Sequence, residues 1–297
     1  MSTPTALAIA GSDAGGGAGI QADLKAFARC GVHGTTAITA ITAQSTVGVS
    51  AIHPVPPRII LAQVRAVLAD IGADAVKVGM LATAPVARAV ARALRELPAV
   101  TPVVVDPVMV AESGAALLDA DARRVLIEQI LPLASVLTPN LPEARALAGA
   151  PREGLRASRA SAADERAEAG ELIGAVLALG PRCVVLTGGH RAQAVDLLLD
   201  ADGEEGVVEI PGERHPDGAA HGSGCTHSSV LAGQLALGRP RLQAARAARA
   251  LAGAAIGRGL RELGAGAGPV DVLDLARMRR ARLPGPPTRG SGGGRLP

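Results

Sequence analysis

Four consecutive residues, Gly222, Ser223, Gly224 and Cys225, place a thiol behind two glycines at the predicted start of a helix. Backbone N–H groups at such a start point toward one spot, and the helix dipole adds partial positive charge there. This arrangement suits the oxygens of a phosphoryl group during its transfer. A thiol at a helix N-terminus is also expected to have a lowered pKa. The alternative is a small buried cysteine in a tight loop.

A second group of polar residues could hold a metal ion. Asp106 ends an apolar run, where a charge is costly unless it is paired or used. Asn140 and Glu143 have N-x-x-E spacing, which puts an amide and a carboxylate on one side of a first helical turn. The same spacing is typical of a capping box, with Asn140 as the N-cap. Together with Asp106, Glu143 is consistent with a hydrated Mg²⁺ site, because Mg²⁺ retains waters and takes few carboxylates directly.

The segment AGSDAGGGAGIQAD carries four glycines within residues 15–19. It is not a P-loop, and Ile20 stands where the last glycine of GxGxxG would have to be. Its glycines would let backbone N–H groups approach a ligand closely. A flexible turn between a strand and a helix is the alternative. Asp23 lies in the following helix, and we expect it to face back toward the turn.

Strand and helix patterns alternate along the chain. Short apolar, β-branched runs predict strands at ALAIAG, TTAITAITAQ, AVKVGM, TPVVVDPVM, SVLTPN and CVVLTGG, with helical patterns between them and an antiparallel pair, AVDLLLD and GVVEIPG, at one edge. A charged helix is predicted over 161–179, and mostly helical structure from the thiol motif to about residue 263. This alternation predicts a three-layer α/β/α fold with a mostly parallel sheet. Ligands bind at the carboxyl ends of such strands, which is where the polar residues above fall.

One domain is expected over residues 1–276, because no linker interrupts the pattern before a tail over 277–297. The tail holds six arginines, no acidic residue and many prolines and glycines, and is expected to be disordered. The net charge of +3 belongs to this tail, since the rest of the chain is mildly acidic. A weak contact with nucleic acid through the tail is the alternative to a solvated end.

Composition excludes several function classes. One Phe, no Trp and no Tyr argue against stacking of single-stranded nucleic acid. Three cysteines far apart, without a CxxC pair, fit neither a disulfide framework nor a zinc site. The first residues lack the features of a signal peptide, and no apolar run reaches the length of a membrane span. A cytoplasmic protein is therefore expected.

Taken together, the motifs resemble a known family, the hydroxymethylpyrimidine/phosphomethylpyrimidine kinases of thiamine biosynthesis, which belong to the ribokinase-like superfamily. The resemblance runs in order from about Leu7 to Val272. It rests on AIAGSDAGGGAGIQADLKAFARCGVHGTTAITAITAQ, VKVGML, VVVDPVMVAESG, LTPNLPEA, TGGH and HGSGCT.

The resemblance implies an ATP- and Mg²⁺-dependent kinase, expected to be a homodimer, with a mostly parallel sheet between helix layers. It implies phosphorylation of 4-amino-5-hydroxymethyl-2-methylpyrimidine and then of its monophosphate. Gln44 would hydrogen-bond the aminopyrimidine, Gly11 and Asp23 would lie beside it, and Met80 and Val108 would be apolar walls. Residues 222–225 would form the anion hole, with Cys225 where many sugar kinases of the superfamily have an aspartate. The implied nucleotide contacts are Asp106, Asn140, Thr187 and Gly189, and the implied metal ligands are Asp106 and Glu143.

The sequence departs from the family pattern at two positions. Thr187 replaces the usual Lys of KGGH, and Glu112 replaces a commonly basic residue. Arg214 or His215 could supply the missing charge. Two other functions stay open: a pyridoxal or pyridoxine kinase of the same fold, and a non-catalytic protein that senses the pyrimidine. Gln44 and the first glycine-rich block favour the pyrimidine kinase.

Overall fold

The structure, a computed structural model, describes residues 2–111, 114–150, 162–189, 194–216 and 218–281. Its strands are β1 Thr5–Ala10, β2 His33–Ile38, β3 Ala40–Ser45, β4 Gly48–Pro54, β5 Ala75–Val78, β6 Val103–Val105, β7 Val136–Leu137, β8 Cys183–Leu186, β9 Val195–Asp200 and β10 Val208–Pro211. Its α-helices are α1 Gly19–Arg29, α2 Pro57–Asp70, α3 Ala84–Arg95, α4 Ala120–Val125, α5 Leu141–Leu147, α6 Ala162–Leu177, α7 Ser223–Ala236, α8 Arg241–Gly257 and α9 Leu275–Ala281.

Eight strands form one central sheet in the order β10-β9-β8-β7-β6-β5-β1-β2. All neighbours from β8 to β2 run parallel, whereas β9 is antiparallel to both β8 and β10. The central strands are short, mostly apolar segments that are buried along their whole length, as expected when helices cover both faces, and Lys77 of β5 is their one charged residue. The predicted α/β architecture and the antiparallel edge pair are confirmed.

The core lies on both sides of this sheet. One apolar cluster packs α2 to α6 against one face, and the other packs α1, α7 and α8 against the opposite face. Helix α3 illustrates the pattern, because Val86, Val90 and Leu94 are buried while Arg88 and Arg92 are exposed. The single aromatic residue, Phe27, is fully buried on the α1 side.

The sequence predicted a single strand at TTAITAITAQ, but the structure divides this segment between two strands. Strand β2 ends at Ile38, and after the buried Thr39 the chain leaves the central sheet. The Thr39 hydroxyl donates to the Met80 carbonyl oxygen at 2.6 Å, which fixes this exit. Strand β3 then pairs with β4 as a separate antiparallel hairpin. The residues of β4 are largely exposed, so no apolar alternation marked it in the sequence.

Other boundaries shift by smaller amounts. The charged helix α6 covers 162–177, and α8 ends at Gly257 rather than near 263. Helix α9 takes in 277–281 of the expected tail, and 282–297 lie outside the described residues. The division into one domain and a tail stays a prediction.

Within the part of the chain that the structure describes, no helix is both long and apolar enough to cross a membrane.

Candidate active site

One cavity opens at the carboxyl ends of the parallel strands, and it brings together residues that are far apart in the sequence. Every predicted site residue except Asp23 lines it: Gly11, Gln44, Met80, Asp106, Val108, Asn140, Glu143, Thr187, Gly189, Gly222, Ser223, Gly224 and Cys225. The strand ends therefore do bring these residues to one cavity, as the sequence argument expected.

The predicted anion hole lies at the start of α7. Gly222 precedes the helix with φ of +80°, and a Cβ there would lie 1.8 Å from the Gly17 carbonyl oxygen. Only glycine allows both this conformation and this approach. The N–H groups of Gly224 and Cys225 belong to the first turn, where no preceding helical carbonyl can accept them. They and the helix dipole make this end of α7 a site for an anion.

The Cys225 thiol lies between the starts of two helices. It accepts a hydrogen bond from the N–H of Gly19, the first residue of α1. The pKa of Cys225 is raised to about 12, chiefly by burial; Lys77 and the Gly19 N–H lower it, whereas Asp106 and Asp23 raise it. The predicted lowering of this pKa is therefore wrong, because desolvation outweighs the helix dipole. Cys225 is a neutral thiol at physiological pH.

Asp106, which is buried, and Glu143, which is half-buried, are carboxyl groups of the cavity. The Asn140 side chain accepts from the Glu143 N–H, and Glu143 Oε2 accepts from the Asn140 N–H, both at 2.9 Å, so the capping box is formed. Burial, followed by the charge of Asp106, raises the pKa of Glu143 to about 8. Asp106 Oδ2 accepts from the Ser228 hydroxyl at 3.0 Å.

The capping role and a metal role are compatible at Glu143. Among the described residues, no three His, Cys, Asp or Glu side chains gather as a metal cluster. Asp106 and Glu143 offer only hard carboxylate oxygens, and each disfavours the charge of the other. A divalent cation between them would relieve that repulsion, with water or phosphate filling its remaining positions. This donor set fits Mg²⁺.

The sequence suggested that the glycine-rich turn presents its N–H groups to a ligand. The structure shows a different arrangement. Instead, the Asp13 carboxylate accepts from the N–H groups of Gly15, Gly17 and Ala18 at 2.8–2.9 Å. It also lies 2.9 Å from Nε2 of His221. Although burial opposes it, these hydrogen bonds, led by that of His221, lower the pKa of Asp13. The turn is thus folded around an internal anion.

Asp23 does not face the turn or the cavity. Its side chain is fully buried beneath the site, and Oδ1 accepts from Lys77 Nζ at 2.8 Å and from the Ser229 hydroxyl at 2.7 Å. Helix α1 directs this position toward the sheet and α7 instead of toward its own N-terminus. The predicted contact with substrate is corrected to a buried ion pair.

One end of the cavity is suited to a flat polar ring. Gln44, on β3, is half-buried, and its Oε1 lies 3.2 Å from the Thr42 hydroxyl. Met80 and Val108 belong to one small apolar cluster, which forms the predicted walls. A Cβ at Gly11 would lie 2.9 Å from the Met80 sulfur, so Gly11 leaves room for this wall. A hydrogen-bonding amide therefore lies beside apolar surface.

The opposite end carries Thr187 and Gly189 together with residues that the sequence analysis missed. Asp196 Oδ1 accepts from the Gly188 N–H at 2.8 Å, and Oδ2 lies 3.1 Å from His227 Nε2. Arg249 lies 3.8 Å from Asp196 and also lines the cavity, whereas Arg214 and His215 do not. Only proximity in the fold reveals Asp196, His227 and Arg249, because none stands in a recognisable motif. Glu112 lies outside the described residues.

Comparison with known proteins gives a consistent result. A family model described as phosphomethylpyrimidine kinase matches residues 13–271. A hydroxymethylpyrimidine/phosphomethylpyrimidine kinase of Rhizobium meliloti is 46% identical over 271 residues, which cover 90% of this chain and 96% of the relative.

Solved structures share the fold. The crystal structure of phosphomethylpyrimidine kinase from Clostridium difficile has a TM-score of 0.68 at 36% identity, covering 82% of this chain and 96% of that one. Pyridoxal kinase from Staphylococcus aureus, in complex with AMP-PCP and pyridoxal, has a TM-score of 0.76 at 29% identity, covering 91% of this chain and 94% of that one.

Proposed function

The chain belongs to the phosphomethylpyrimidine kinase family, and we propose that it transfers the γ-phosphoryl group of ATP to 4-amino-5-hydroxymethyl-2-methylpyrimidine and then to the resulting monophosphate, in thiamine biosynthesis. The observation that carries this proposal is a single cavity with three parts. Gln44 and apolar walls lie at one end, the anion hole of residues 222–225 lies between, and Thr187 and Gly189 lie at the other end.

The pyrimidine binds at the Gln44 end. A carboxamide has both a donor and an acceptor, so Gln44 can pair with the exocyclic amine and the neighbouring ring nitrogen of an aminopyrimidine. Met80 and Val108 cover the faces of the ring, and Gly11 leaves space beside it. In this orientation the hydroxymethyl group points toward Cys225 and the start of α7.

The phosphoryl group transfers within the anion hole. The hydroxyl oxygen bonds to the γ-phosphorus, the bond to the ADP oxygen breaks, and the hydroxyl proton passes late to an oxygen of the transferred group. The N–H groups of Gly224 and Cys225 stabilise the charge on the equatorial oxygens. Because the transition state is loose, a strong base is not required. Cys225, as a neutral thiol, orients the hydroxyl and does not remove its proton.

ATP binds with its phosphates between the anion hole and the Thr187 end, where Gly189 and Asn140 are in reach. Asp106 and Glu143 would hold Mg²⁺ beside those phosphates. When bound, the ion neutralises phosphate oxygens and orients the γ-phosphoryl group. Hydrogen bonds hold both carboxylates in place. Asp106 accepts from the Ser228 hydroxyl, and Glu143 accepts from the Asn140 N–H.

Pyridoxal is the second candidate substrate, because the Staphylococcus aureus neighbour is a pyridoxal kinase of the same fold. Gln44 favours an aminopyrimidine, since pyridoxal has no exocyclic amine for the amide to pair with. A pure sensor of the pyrimidine is disfavoured by the complete anion hole, which such a protein does not need.

We further propose a cytoplasmic homodimer in which the β3–β4 hairpin contributes to the interface. Ile41 and Ile52 project from this hairpin with 53% and 37% of their surface exposed, and Val47 in its turn is 65% exposed. A two-stranded sheet with exposed apolar side chains is poorly stable alone. A second copy would cover it, and sedimentation of wild type against Ile41→Lys tests this.

A coupled kinase assay tests the function. Purified protein is given Mg-ATP with the pyrimidine alcohol, its monophosphate or pyridoxal. The proposal expects turnover of both pyrimidines, with a higher kcat/KM than for pyridoxal. Turnover of pyridoxal alone would reassign the substrate. Stabilisation by the pyrimidine without any ADP release would identify a sensor.

A further inference from the structure

Lys77 is a fully buried cation that the steps above do not use. It lies on β5, its side chain has 0% exposure, and its Nζ is 2.8 Å from Asp23 Oδ1. The Asp106 Oδ2 atom lies 4.0 Å away on the other side. Burying an ammonium group is costly unless it is paired. The fold therefore retains it at a cost, directly beneath the anion hole.

Both carboxylates that flank Lys77 are tied to the same helix. Asp23 accepts from the Ser229 hydroxyl at 2.7 Å, and Asp106 accepts from the Ser228 hydroxyl at 3.0 Å. These adjacent serines lie in the second turn of α7, whose first turn forms the anion hole. Through these two carboxylates, Lys77 connects strand β5 to helix α7, whose first turn carries the phosphoryl-binding N–H groups.

The charge balance below the anion hole depends on Lys77. With it, the cluster of Asp23, Asp106 and Lys77 carries one net negative charge. Without it, two carboxylates would lie behind Cys225 and repel an incoming phosphoryl group in a medium of low dielectric constant. The Asp23 carboxylate at 2.8 Å and the Asp106 carboxylate at 4.0 Å pair with the buried ammonium group and favour its charged form.

The space around the ammonium group is also specific. A Cβ at Gly79 would lie 2.9 Å from Lys77 Nζ, so glycine there makes room for it. The second oxygen of Asp23, Oδ2, is buried without a hydrogen-bond partner among the described residues. Asp23 Oδ1 therefore accepts from both Lys77 and Ser229 and holds Lys77 in place, and Asp23 does not line the cavity.

Accordingly, we propose that Lys77, anchored by Asp23, is a positioning residue for phosphoryl transfer: it offsets the carboxylate charge behind the anion hole and holds Asp106 and the start of α7 in place. Lys77 borders the cavity, but its side chain has 0% exposure, so it acts through Asp106 and Cys225 and not by contact with substrate or nucleotide. The proposal rests on the proposed kinase function for its kinetic consequences only.

The kinetic test uses a charge-neutral double variant. Lys77→Met alone leaves Asp23 buried and unpaired, so it is expected to unfold more readily. Asp23→Asn/Lys77→Met removes both charges and should restore most of the thermal stability. We expect its kcat to stay at least about tenfold below wild type, with KM for the pyrimidine changed less than about twofold. Arg88→Met, which removes an exposed cation of α3 away from the cavity, is the control.

A second readout does not depend on turnover. In Asp23→Asn, Lys77 keeps its charge, so alkylation of Cys225 by iodoacetamide at about pH 9 should be about threefold or more faster than in Asp23→Asn/Lys77→Met, which lacks both charges. Peptide mass spectrometry separates Cys225 from Cys30 and Cys183. If wild type phosphorylates no alcohol, the proposed function fails, and the alkylation rates still decide the role of Lys77.

Two results would overturn the role of Lys77. One is a double variant whose kcat lies within about twofold of wild type once stability is restored. The other is a Cys225 alkylation rate that is the same in Asp23→Asn and in Asp23→Asn/Lys77→Met. Either would reduce the Asp23–Lys77 pair to a structural ion pair.

Discussion

His221 Nε2 lies 2.9 Å from Asp13 Oδ2, although the two residues are 208 positions apart in the sequence. Asp13 organises the glycine-rich turn, and His221 immediately precedes the anion hole. The backbone beside them is equally close, because the Gly222 Cα approaches the Gly17 carbonyl where no side chain would fit. The pair therefore fixes the pyrimidine side of the cavity relative to the phosphoryl side.

Replacing His221 should separate these two loops. His221→Leu keeps much of the volume but leaves Asp13 without its side-chain donor, and the loss of a buried charged hydrogen bond costs about 1–3 kcal/mol. We expect a lower urea midpoint and a kcat reduced more than tenfold, since small displacements of reacting groups cost about two orders of magnitude. Urea unfolding and steady-state kinetics measure the two effects.

His33→Leu is the matched control, because His33 is exposed at the start of β2. It should change neither the urea midpoint nor kcat. A His221→Leu protein that loses stability but keeps its kcat would show that the contact only supports the fold.

The architecture was predictable because its signal is local. A strand covered on both faces must be largely apolar, and β6 and β8 are continuous apolar runs, whereas β5 is apolar except for Lys77. The β3–β4 hairpin was missed for the opposite reason, since exposed strands need no apolar pattern. Because parallel strands end at the same edge of a sheet, the polar residues that follow them were expected to lie together there.

The roles of the two aspartates near the glycine-rich turn could not be read in the same way. Asp13 and Asp23 lie ten residues apart, and either could have faced the turn. The direction of Asp23, which is on α1, depends on the rotation of that helix about its axis, and packing against α7 and the sheet sets that rotation. Similarly, the pKa of Cys225 depends on burial by residues from other elements, which local sequence does not specify.

The thiol of Cys225 should be chemically unreactive near neutral pH. With its pKa raised to about 12 by burial, about one molecule in ten thousand carries a thiolate at about pH 8. Alkylation by iodoacetamide is therefore expected to be about three orders of magnitude slower than for a free cysteine. Its rate, followed by mass spectrometry of the Cys225 peptide, should rise about tenfold per pH unit up to about pH 11.

A neutral thiol that orients the hydroxyl should be replaceable by another small donor. Cys225→Ser is expected to keep kcat within about tenfold of wild type, whereas loss of an essential base costs about two to four orders of magnitude. Cys225→Ala should lose more than Cys225→Ser, because it removes the polar atom altogether. Equal and severe losses in both variants would instead identify the thiolate as the base.

The Glu143 carboxyl group should make stability depend on pH. Its pKa is raised to about 8 in the folded protein from an ordinary 4.5, so between these values the folded state binds a proton that the unfolded state releases. The free energy of unfolding therefore falls as pH rises through this window, by up to about 1.4 kcal/mol per unit for one group. Thermal unfolding without Mg²⁺ should show a Tm that decreases from about pH 5.5 to about pH 8.

Glu143→Gln removes this titration while retaining an acceptor for the Asn140 N–H. Its Tm should decrease less over the same range, and Mg²⁺ at about pH 8 should stabilise wild type more than the variant. Parallel pH profiles for the two proteins would contradict the assignment of the slope to Glu143.

Thr187→Lys should strengthen ATP binding. Thr187 lines the nucleotide end of the cavity, and its hydroxyl makes only a long contact of 3.4 Å to the Pro139 carbonyl oxygen, so little is lost on replacement. A lysine ammonium group there would approach the phosphates, and a charge-assisted contact is worth about 1.5–3 kcal/mol. We expect KM for ATP to fall about tenfold or more, with KM for the pyrimidine unchanged, because Gln44 lies at the other end.

Val100→Lys adds the same charge far from the cavity, at a side chain that is 89% exposed. If the lower KM for ATP comes from a local contact, this control leaves KM for ATP unchanged. Added salt should raise the KM for ATP of Thr187→Lys only modestly, because the new contact is partly buried. An unchanged KM for ATP in Thr187→Lys would mean that the nucleotide phosphates are already neutralised. Arg249, the cavity-lining arginine beside Asp196, would then be the residue to replace next.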